Sequence, residues 1–156
     1  DRLLKNLLIV YHSQTGNTLR LAQAVLKGAT DKDIEGIEVR MLSALDAGPS
    51  DLLWAHGVIL GTPENFGYMS GALKDFFDRT YYPAEPYNLN LPYALFISAG
   101  NDGTGAVREI DRIVSGYPMK KIAPPLIAKA EVNGDHLRQC EEFGLSMAAG
   151  LAMGIF

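Results

Sequence analysis

Short apolar runs alternate with segments of helical periodicity along the chain. An unbroken apolar run that ends in turn residues is typical of a strand buried on both faces of a parallel sheet. Five such runs predict strands over residues 7–11, 37–42, 57–60, 93–97 and 122–130. Apolar residues at spacings of three and four predict helices over residues 19–26, 47–54, 73–77, 107–114 and 137–151. The fifth strand, which contains Pro124 and Pro125, is the weakest of these predictions.

The alternation of strand and helix decides the fold class. It predicts an α/β three-layer sandwich around a five-stranded parallel sheet, in a single domain over residues 1–156. Right-handed crossovers limit the topology, and five strands most often take the order 2-1-3-4-5. Ligands of such sheets bind beyond the carboxyl ends of the strands, near the first and third. In this order Pro124 and Pro125 fall on an edge strand, where they are tolerated; alternatively, they end the strand early.

Composition and charge fit one globular domain and exclude several functions. The 156 residues are 47% hydrophobic and 21% charged, and the net charge of −4 provides no basic surface for a nucleic-acid backbone. The uncharged stretch 143–156 is shorter than the roughly 20 apolar residues of a membrane-spanning helix, so no membrane span is expected. A single cysteine, Cys140, excludes an internal disulfide and predicts a reducing, cytoplasmic location. The three histidines lack the spacing of metal ligands, so no metal site is predicted.

The loop after the first strand has the composition of an anion-binding turn. Directly before a predicted helix stand Ser13, Gln14, Thr15, Gly16, Asn17 and Thr18. Hydroxyl and amide groups, a glycine and the free N–H groups of a helix start together suit a phosphate. The loop lacks the lysine of a nucleoside-triphosphate site, which favours a phosphomonoester held by neutral donors. The alternative is that these residues only cap the helix.

The loop after the third strand combines aromatic residues with glycines. Its candidate ligand residues are Pro63, Glu64, Asn65, Phe66, Gly67 and Tyr68. Aromatic faces and a glycine-rich backbone suit a flat heteroaromatic ring. The alternative is an ordinary connection in which Phe66 packs on the core. For Ser70, which precedes the next helix, capping is the favoured interpretation.

The loop after the fourth strand is also small and polar. Its candidate residues are Ser98, Ala99, Gly100, Asn101, Asp102 and Gly103. A dinucleotide fingerprint of the form G-x-G-x-x-G is excluded, because Arg108 stands where the last glycine belongs and the motif should follow the first strand. Asn101-Asp102-Gly103 is also an ordinary turn sequence, so ligand contact and a plain turn both stay open for this loop.

Two of these loops resemble known flavin-binding motifs. Residues 13–18 fit the S/T-x-T-G-x-T pattern with which flavodoxins hold the phosphate of FMN. Residues 61–69 look like the G-T-P-x-x-F-G-x-M loop that lines the isoalloxazine ring in NAD(P)H:quinone oxidoreductases of the tryptophan-repressor-binding-protein type. The resemblance covers nearly the whole chain and implies a flavodoxin-like fold with FMN as cofactor. It further implies that residues 13–18 bind the phosphate, that residues 63–68 border the ring, and that residues 98–103 contact its pyrimidine side and the ribityl chain.

The resemblance implies a redox protein whose flavin carries the chemistry, so no catalytic side chain is expected. As an enzyme, the chain would take electrons transiently from NAD(P)H and pass two of them to a quinone or a similar small acceptor. As a flavodoxin-type carrier it would transfer single electrons to a partner redox protein, and a third interpretation is a partner-binding redox sensor. Glu64 and Asp102 either disfavour negative charge on a reduced flavin or are solvated turn residues. A monomer or a homodimer is expected.

Overall fold

The computed structural model describes residues 4–156, in which strands and helices alternate. The strands are β1 (Lys5–Tyr11), β2 (Ile37–Ser43), β3 (Gly57–Pro63), β4 (Pro92–Ala99), β5 (Lys120–Lys121) and β6 (Leu126–Lys129). The helices are α1 (Asn17–Ala29), α2 (Pro49–Trp54), α3 (Gly71–Ala84), α4 (Thr104–Val114) and α5 (Gly134–Ala152). A short 3₁₀ turn, Glu85–Tyr87, follows α3. The five predicted helices and the first four predicted strands are present, with differences at the boundaries, and two short strands replace the fifth.

All strand pairs of the sheet are parallel, and the order is β2-β1-β3-β4-β5, with β6 also paired to β4. The predicted order 2-1-3-4-5 is therefore confirmed. Ile9 in the middle of β1 pairs with Met41 of β2 and with Ile59 of β3. Since the neighbouring strands run in the same direction, the carboxyl ends of β1, β3 and β4 meet at one edge of the sheet. The three candidate loops leave the sheet at that edge.

The alternating side chains of β1 account for the three layers. Leu8 and Val10 are completely buried in a cluster that includes side chains of α2, α3 and α4. Leu7 and Ile9 are completely buried in a second cluster, with side chains of α1 and α5. Because successive residues of a strand point to opposite faces, both faces of β1 are covered by helices. This is why the β1 sequence is an unbroken apolar run instead of an alternating one.

The fifth strand of the predicted sheet is divided in two. β5 pairs with the amino end of β4, and β6 pairs with its carboxyl end. Pro124 and Pro125 lie in the gap between the two short strands, and a proline has no N–H group to donate to a neighbouring strand. The prediction of one strand over residues 122–130 is therefore wrong in its bounds, while the prediction that this region lies beside the fourth strand is confirmed.

Four of the five helices extend beyond the segments that periodicity predicts, and α2 is shorter. α1 begins two residues earlier than predicted, at Asn17, and α3 continues through Pro83 to Ala84. α2 is shorter than predicted because Pro49 occupies its first position, where the missing N–H group is not needed. Among the helices within residues 4–156, none has both the length and the apolar character that crossing a membrane requires.

Candidate functional site

The loop between β1 and α1 is closed by its own serine. The Ser13 hydroxyl accepts hydrogen bonds from the backbone N–H groups of Gly16, at 3.2 Å, and of Leu19, at 3.1 Å. Gly16 has φ +103°, a conformation that side chains rarely adopt, so this tight turn requires the glycine. Within residues 4–156, the backbone N–H groups of Thr15, Asn17 and Thr18 have no hydrogen-bond partner. The start of α1 therefore presents unpaired donors.

The loop after β3 contains a tight hairpin, residues 65–68. Asn65 and Tyr68 exchange two backbone hydrogen bonds, of 2.8 and 2.9 Å. Phe66 and Gly67 form the tip with φ of 53° and 72°, which is the backbone of a type I′ turn. The Phe66 side chain is fully exposed, so the alternative in which it packs on the core is wrong. Ser70, in contrast, caps α3 as predicted, because its hydroxyl accepts a hydrogen bond from the Leu73 N–H group at 3.3 Å.

Glu64 binds the start of α4 with both carboxylate oxygens. Its Oε1 accepts from the N–H group of Gly103 at 3.2 Å, and its Oε2 accepts from those of Gly105 at 3.0 Å and Ala106 at 3.2 Å. The Glu64 backbone N–H group also donates to the Ser98 carbonyl at 2.8 Å. Glu64 is therefore not the solvated turn residue considered from the sequence: it fastens the second loop to the third.

Two glycines bring the hairpin and α4 into direct backbone contact. A Cβ atom built on Gly105 would lie 2.2 Å from the carbonyl oxygen of Gly67 and 2.8 Å from its carbonyl carbon. Real Cβ atoms do not approach backbone atoms this closely, so only glycine fits at position 105. This contact and the Glu64 carboxylate both hold residues 64–67 against the first turn of α4.

The third loop is joined to the first by a buried hydrogen bond between two hydroxyls. Thr18 Oγ1 of α1 and Ser98 Oγ of β4 are 2.7 Å apart, and the two residues are only 1% and 8% exposed. Further along this loop, Asp102 accepts from the N–H group of Thr104 at 3.0 Å and from its hydroxyl at 2.8 Å. The hydrogen bond from the Thr104 backbone lowers the pKa of the Asp102 carboxyl. Asp102 therefore satisfies the first N–H group of α4, just before the N-cap residue Gly103.

The three loops surround a pocket of about 340 Å³ at the carboxyl edge of the sheet. Its lining includes nine of the candidate residues, which are Gln14, Thr15, Asn17, Thr18, Pro63, Glu64, Ser98, Ala99 and Gly100. The candidates outside the lining are Ser13 and Gly16, which shape the first turn, the hairpin residues Asn65, Phe66, Gly67 and Tyr68, and Asn101, Asp102 and Gly103 at the start of α4. The Asn65 side-chain amide donates to Gln14 Oε1 at 3.3 Å, which links the hairpin to the lining.

The pocket lining also includes two residues that the sequence does not indicate. Ala130 and Glu131 follow β6, and the Ala130 N–H group donates to the Ala99 carbonyl at 2.7 Å. Ala130 has φ 62°, which is unusual for a residue with a side chain. No motif marks this position, because its place at the pocket depends on how the divided edge strand ends.

The charges around the pocket are few. The Glu64 carboxylate accepts hydrogen bonds from three backbone N–H groups, and Glu131 is exposed. No lysine or arginine belongs to the lining formed by the described residues. Among residues 4–156, no group of three histidine, cysteine or acidic side chains is arranged to hold a metal ion. The donors for an anion at this site are therefore backbone N–H groups and neutral side chains.

Comparison with known proteins relates the chain to FMN reductases, flavodoxins and quinone oxidoreductases. The family model of NADPH-dependent FMN reductases matches residues 6–124. A flavodoxin from Aquifex aeolicus is 42% identical over 71 residues, which cover 46% of this chain and 37% of the relative. A quinone-oxidoreductase from Triphysaria versicolor is 33% identical over 118 residues, covering 62% of this chain and 57% of the relative. The chain thus spans about half the length of these curated relatives.

The fold is that of solved flavodoxins. A flavodoxin structure from the domain Archaea superposes with a TM-score of 0.81 at 24% sequence identity, and the alignment covers 94% of this chain and 98% of that one. At this level of identity the similarity establishes the three-layer architecture. The flavodoxin-like fold expected from the sequence is confirmed by this similarity and by the strand order.

Proposed function

The chain belongs to the NADPH-dependent FMN reductase family, and on that premise we propose that the pocket between the three loops binds FMN for an NAD(P)H-dependent oxidoreductase reaction. The observation that carries this proposal is the set of unpaired N–H groups at the start of α1, in a loop without lysine or carboxylate. NAD(P)H is the transient electron donor, and a quinone or a similar small molecule is the proposed acceptor. The bound flavin supplies the two-electron chemistry, and the chain supplies binding, orientation and access.

The first loop fits the phosphate of FMN. The N–H groups of Thr15, Asn17 and Thr18 lack partners within residues 4–156, and the Thr15 side chain is exposed at the pocket. A helix start carries about half a positive charge, which favours a bound anion. The hydroxyl of Ser13 accepts two hydrogen bonds from the loop itself, so we assign it to shaping the turn. We propose that Gln14 and Gly16 complete this phosphate loop.

The second and third loops fit the ring of FMN. Pro63 and Glu64 at the end of β3 line the pocket beside residues 98–100 at the end of β4, and the volume of about 340 Å³ falls within the range of small-molecule sites. A Cβ atom on Gly100 would meet no atom within 4 Å, so the backbone here has open space beside it. We propose that hairpin residues 65–68 border the ring and that residues 98–103 contact its pyrimidine side and the ribityl chain.

A second candidate function is that of a one-electron carrier that docks to a redox protein. The specific observation in its favour is Phe66, a fully exposed aromatic residue at the tip of the hairpin beside the pocket. An exposed aromatic at this position is able to contact either a small acceptor or the surface of a partner protein. We further propose a cytoplasmic location, with which the free thiol of Cys140 is consistent, and a monomeric or homodimeric state.

Titration of the purified chain with FMN and with riboflavin tests the flavin site. The wild type is expected to bind one FMN and to bind riboflavin, which has no phosphate, more weakly. Thr15→Val should lower FMN affinity by about 10- to 150-fold, the equivalent of one charge-assisted hydrogen bond of about 1.5–3 kcal/mol, and leave riboflavin affinity unchanged. Thr30→Val, which alters an exposed hydroxyl at the other end of α1, is the matched control. A wild type that binds no FMN contradicts the proposal.

Steady-state kinetics distinguishes the two candidate functions. The FMN-loaded chain is mixed with NADH or NADPH and a soluble quinone, and consumption of the nicotinamide is followed by its absorbance. Multiple turnovers support the reductase. Binding of FMN without any turnover by either nicotinamide supports the carrier.

A further inference from the structure

Glu64 connects the second loop to a helix that begins about 40 residues later in the chain. Its two carboxylate oxygens take three N–H groups from the first turn of α4, those of Gly103, Gly105 and Ala106. The remaining donor of this turn, the Thr104 N–H group, is taken by Asp102 from the neighbouring position. A helix start normally leaves several N–H groups for water or a cap, and here a side chain of a different loop satisfies most of them.

The contacts of Glu64 fix one wall of the pocket. Glu64 itself lines the pocket, and its backbone N–H group donates to the Ser98 carbonyl of the neighbouring strand β4 at 2.8 Å. The adjoining hairpin rests with the Gly67 carbonyl against Gly105 of the same helix turn. Outside these contacts, the hairpin makes a side-chain hydrogen bond from Asn65 to Gln14 at 3.3 Å, which is exposed. The carboxylate is therefore the strongest polar tie between the hairpin and the rest of the site, since hydrogen bonds to charged groups exceed neutral ones.

We propose that Glu64 is a positioning residue whose carboxylate holds the hairpin, residues 65–68, against the first turn of α4. We call these hydrogen bonds the latch. The latch keeps the ring end of the pocket, where the flavin ring is proposed to lie, in the conformation that binds the ring. This inference rests on the proposed function, because a ring end has meaning only if a flavin binds. Without the carboxylate, the backbone pairing of Pro63 and Glu64 with Ser98 remains, but hairpin residues 65–68 lose their fixed position relative to the first turn of α4. Flavin binding must then restore the order of the hairpin. The start of α1 is held separately by Ser13, so the phosphate end stays intact.

Riboflavin and FMN together separate the two ends of the site, because riboflavin probes the ring end alone. Glu64→Ala should weaken the binding of both ligands by the same factor, about 10- to 100-fold, through loss of the charge-assisted hydrogen bonds of the latch. Glu64→Gln should produce a smaller loss. Its amide oxygen still accepts from Gly105 and Ala106, whereas its NH₂ group faces the N–H group of Gly103, which is also a donor. Flavin affinity should therefore be partly restored in Glu64→Gln relative to Glu64→Ala, which a general loss of stability does not predict.

Asp51→Ala is the matched control. The Asp51 carboxylate accepts from the Gly48 N–H group at 2.9 Å at the start of α2 and also pairs with Arg40 at 2.8 Å, so it too holds a helix start, outside the pocket lining. It should lower the unfolding midpoint in urea and leave both flavin affinities within about twofold of wild type, as expected for distant, independent sites. The unfolding midpoint of each variant without flavin is measured in parallel. If Glu64→Ala does not fold, the flavin affinities of Glu64→Gln test the proposal.

The outcomes separate failure of the latch from failure of the proposed function. A wild type that binds neither flavin contradicts the proposed function. A wild type that binds both flavins while Glu64→Ala or Glu64→Gln retains wild-type affinity for riboflavin overturns the latch. A Glu64 variant that loses FMN affinity alone also overturns it, because the defect would then lie at the phosphate end.

Discussion

The buried hydroxyl pair of Thr18 and Ser98 is expected to be an energetic link between α1 and β4. Thr18→Val preserves the side-chain volume and removes the hydroxyl, which leaves Ser98 Oγ almost fully buried without its 2.7 Å partner. A buried polar group without a partner costs about 1–3 kcal/mol, so each single substitution, Thr18→Val and Ser98→Ala, should lower the free energy of unfolding by that amount. In a domain of this size, 1 kcal/mol corresponds to about 2–4 °C in Tm.

A double-mutant cycle in urea measures the link. The double variant Thr18→Val/Ser98→Ala leaves neither hydroxyl unpaired, so it should be less destabilised than the sum of the two single variants, by about 0.5–3 kcal/mol. The pair Thr30→Val and Ser98→Ala provides the reference, because Thr30 lies at the other end of α1 and is exposed. Additivity of Thr18→Val and Ser98→Ala within about 0.3 kcal/mol would refute the reasoning. Because the Thr18 hydroxyl is already engaged with Ser98, Thr18→Val should also reduce FMN affinity less than Thr15→Val does.

Three further predictions concern a closely packed glycine and two buried titratable side chains. Gly105→Ala should lower the free energy of unfolding by about 1–3 kcal/mol and weaken flavin binding, because its Cβ would overlap the Gly67 carbonyl. Gly134→Ala is the control and should do neither, because its Cβ would meet no atom within 4 Å. A Gly105→Ala variant with wild-type stability and flavin affinity contradicts the contact. Burial raises the pKa of the Cys140 thiol to about 12, so a disulfide reagent at pH 8 should label it only after unfolding, and rapid labelling of the native chain contradicts this. Burial likewise raises the pKa of Tyr117 to about 12, so its contribution to stability should persist up to about pH 10 and be lost as the pH rises towards 12. Tyr117→Phe should flatten that loss in urea titrations, and an equally steep loss in the variant contradicts the assignment.

The fold follows from the sequence wherever local pattern and burial agree. The run over residues 7–11 is unbroken because both faces of β1 are covered by helices, and the periodic segments between strands become the helices that cover them. The exception is residues 122–130, where the apolar composition predicts one strand and the prolines divide it. There the missing N–H groups outweigh the apolar character, because pairing with β4 requires donors that proline does not have.

The sequence predicts which loops form the site, but it predicts the contacts of single residues less well. Strand order alone brings the loops after β1, β3 and β4 together, so the pocket lies where the sequence predicts it. Ala130 and Glu131 were missed because the end of β6 reaches the pocket through an Ala130 backbone bond to Ala99, and a backbone bond leaves no mark in the sequence. Glu64 lines the pocket, as its loop predicts, but its three partners lie at the start of α4, and their identity depends on tertiary packing.

The polar residues of the three loops divide into two groups that composition does not separate. One group holds the loops in shape: Ser13 closes the first turn, Glu64 ties the hairpin to α4, and Asp102 satisfies the first N–H group of that helix. The other group, Thr15, Asn17 and Thr18, has backbone N–H groups without partners in the described chain. The first group makes the second possible, because Ser13 satisfies the N–H groups of Gly16 and Leu19 and leaves those of Thr15, Asn17 and Thr18 free for an anion. A substitution in the shaping group should therefore act on binding through geometry, and one in the free group through loss of a direct contact.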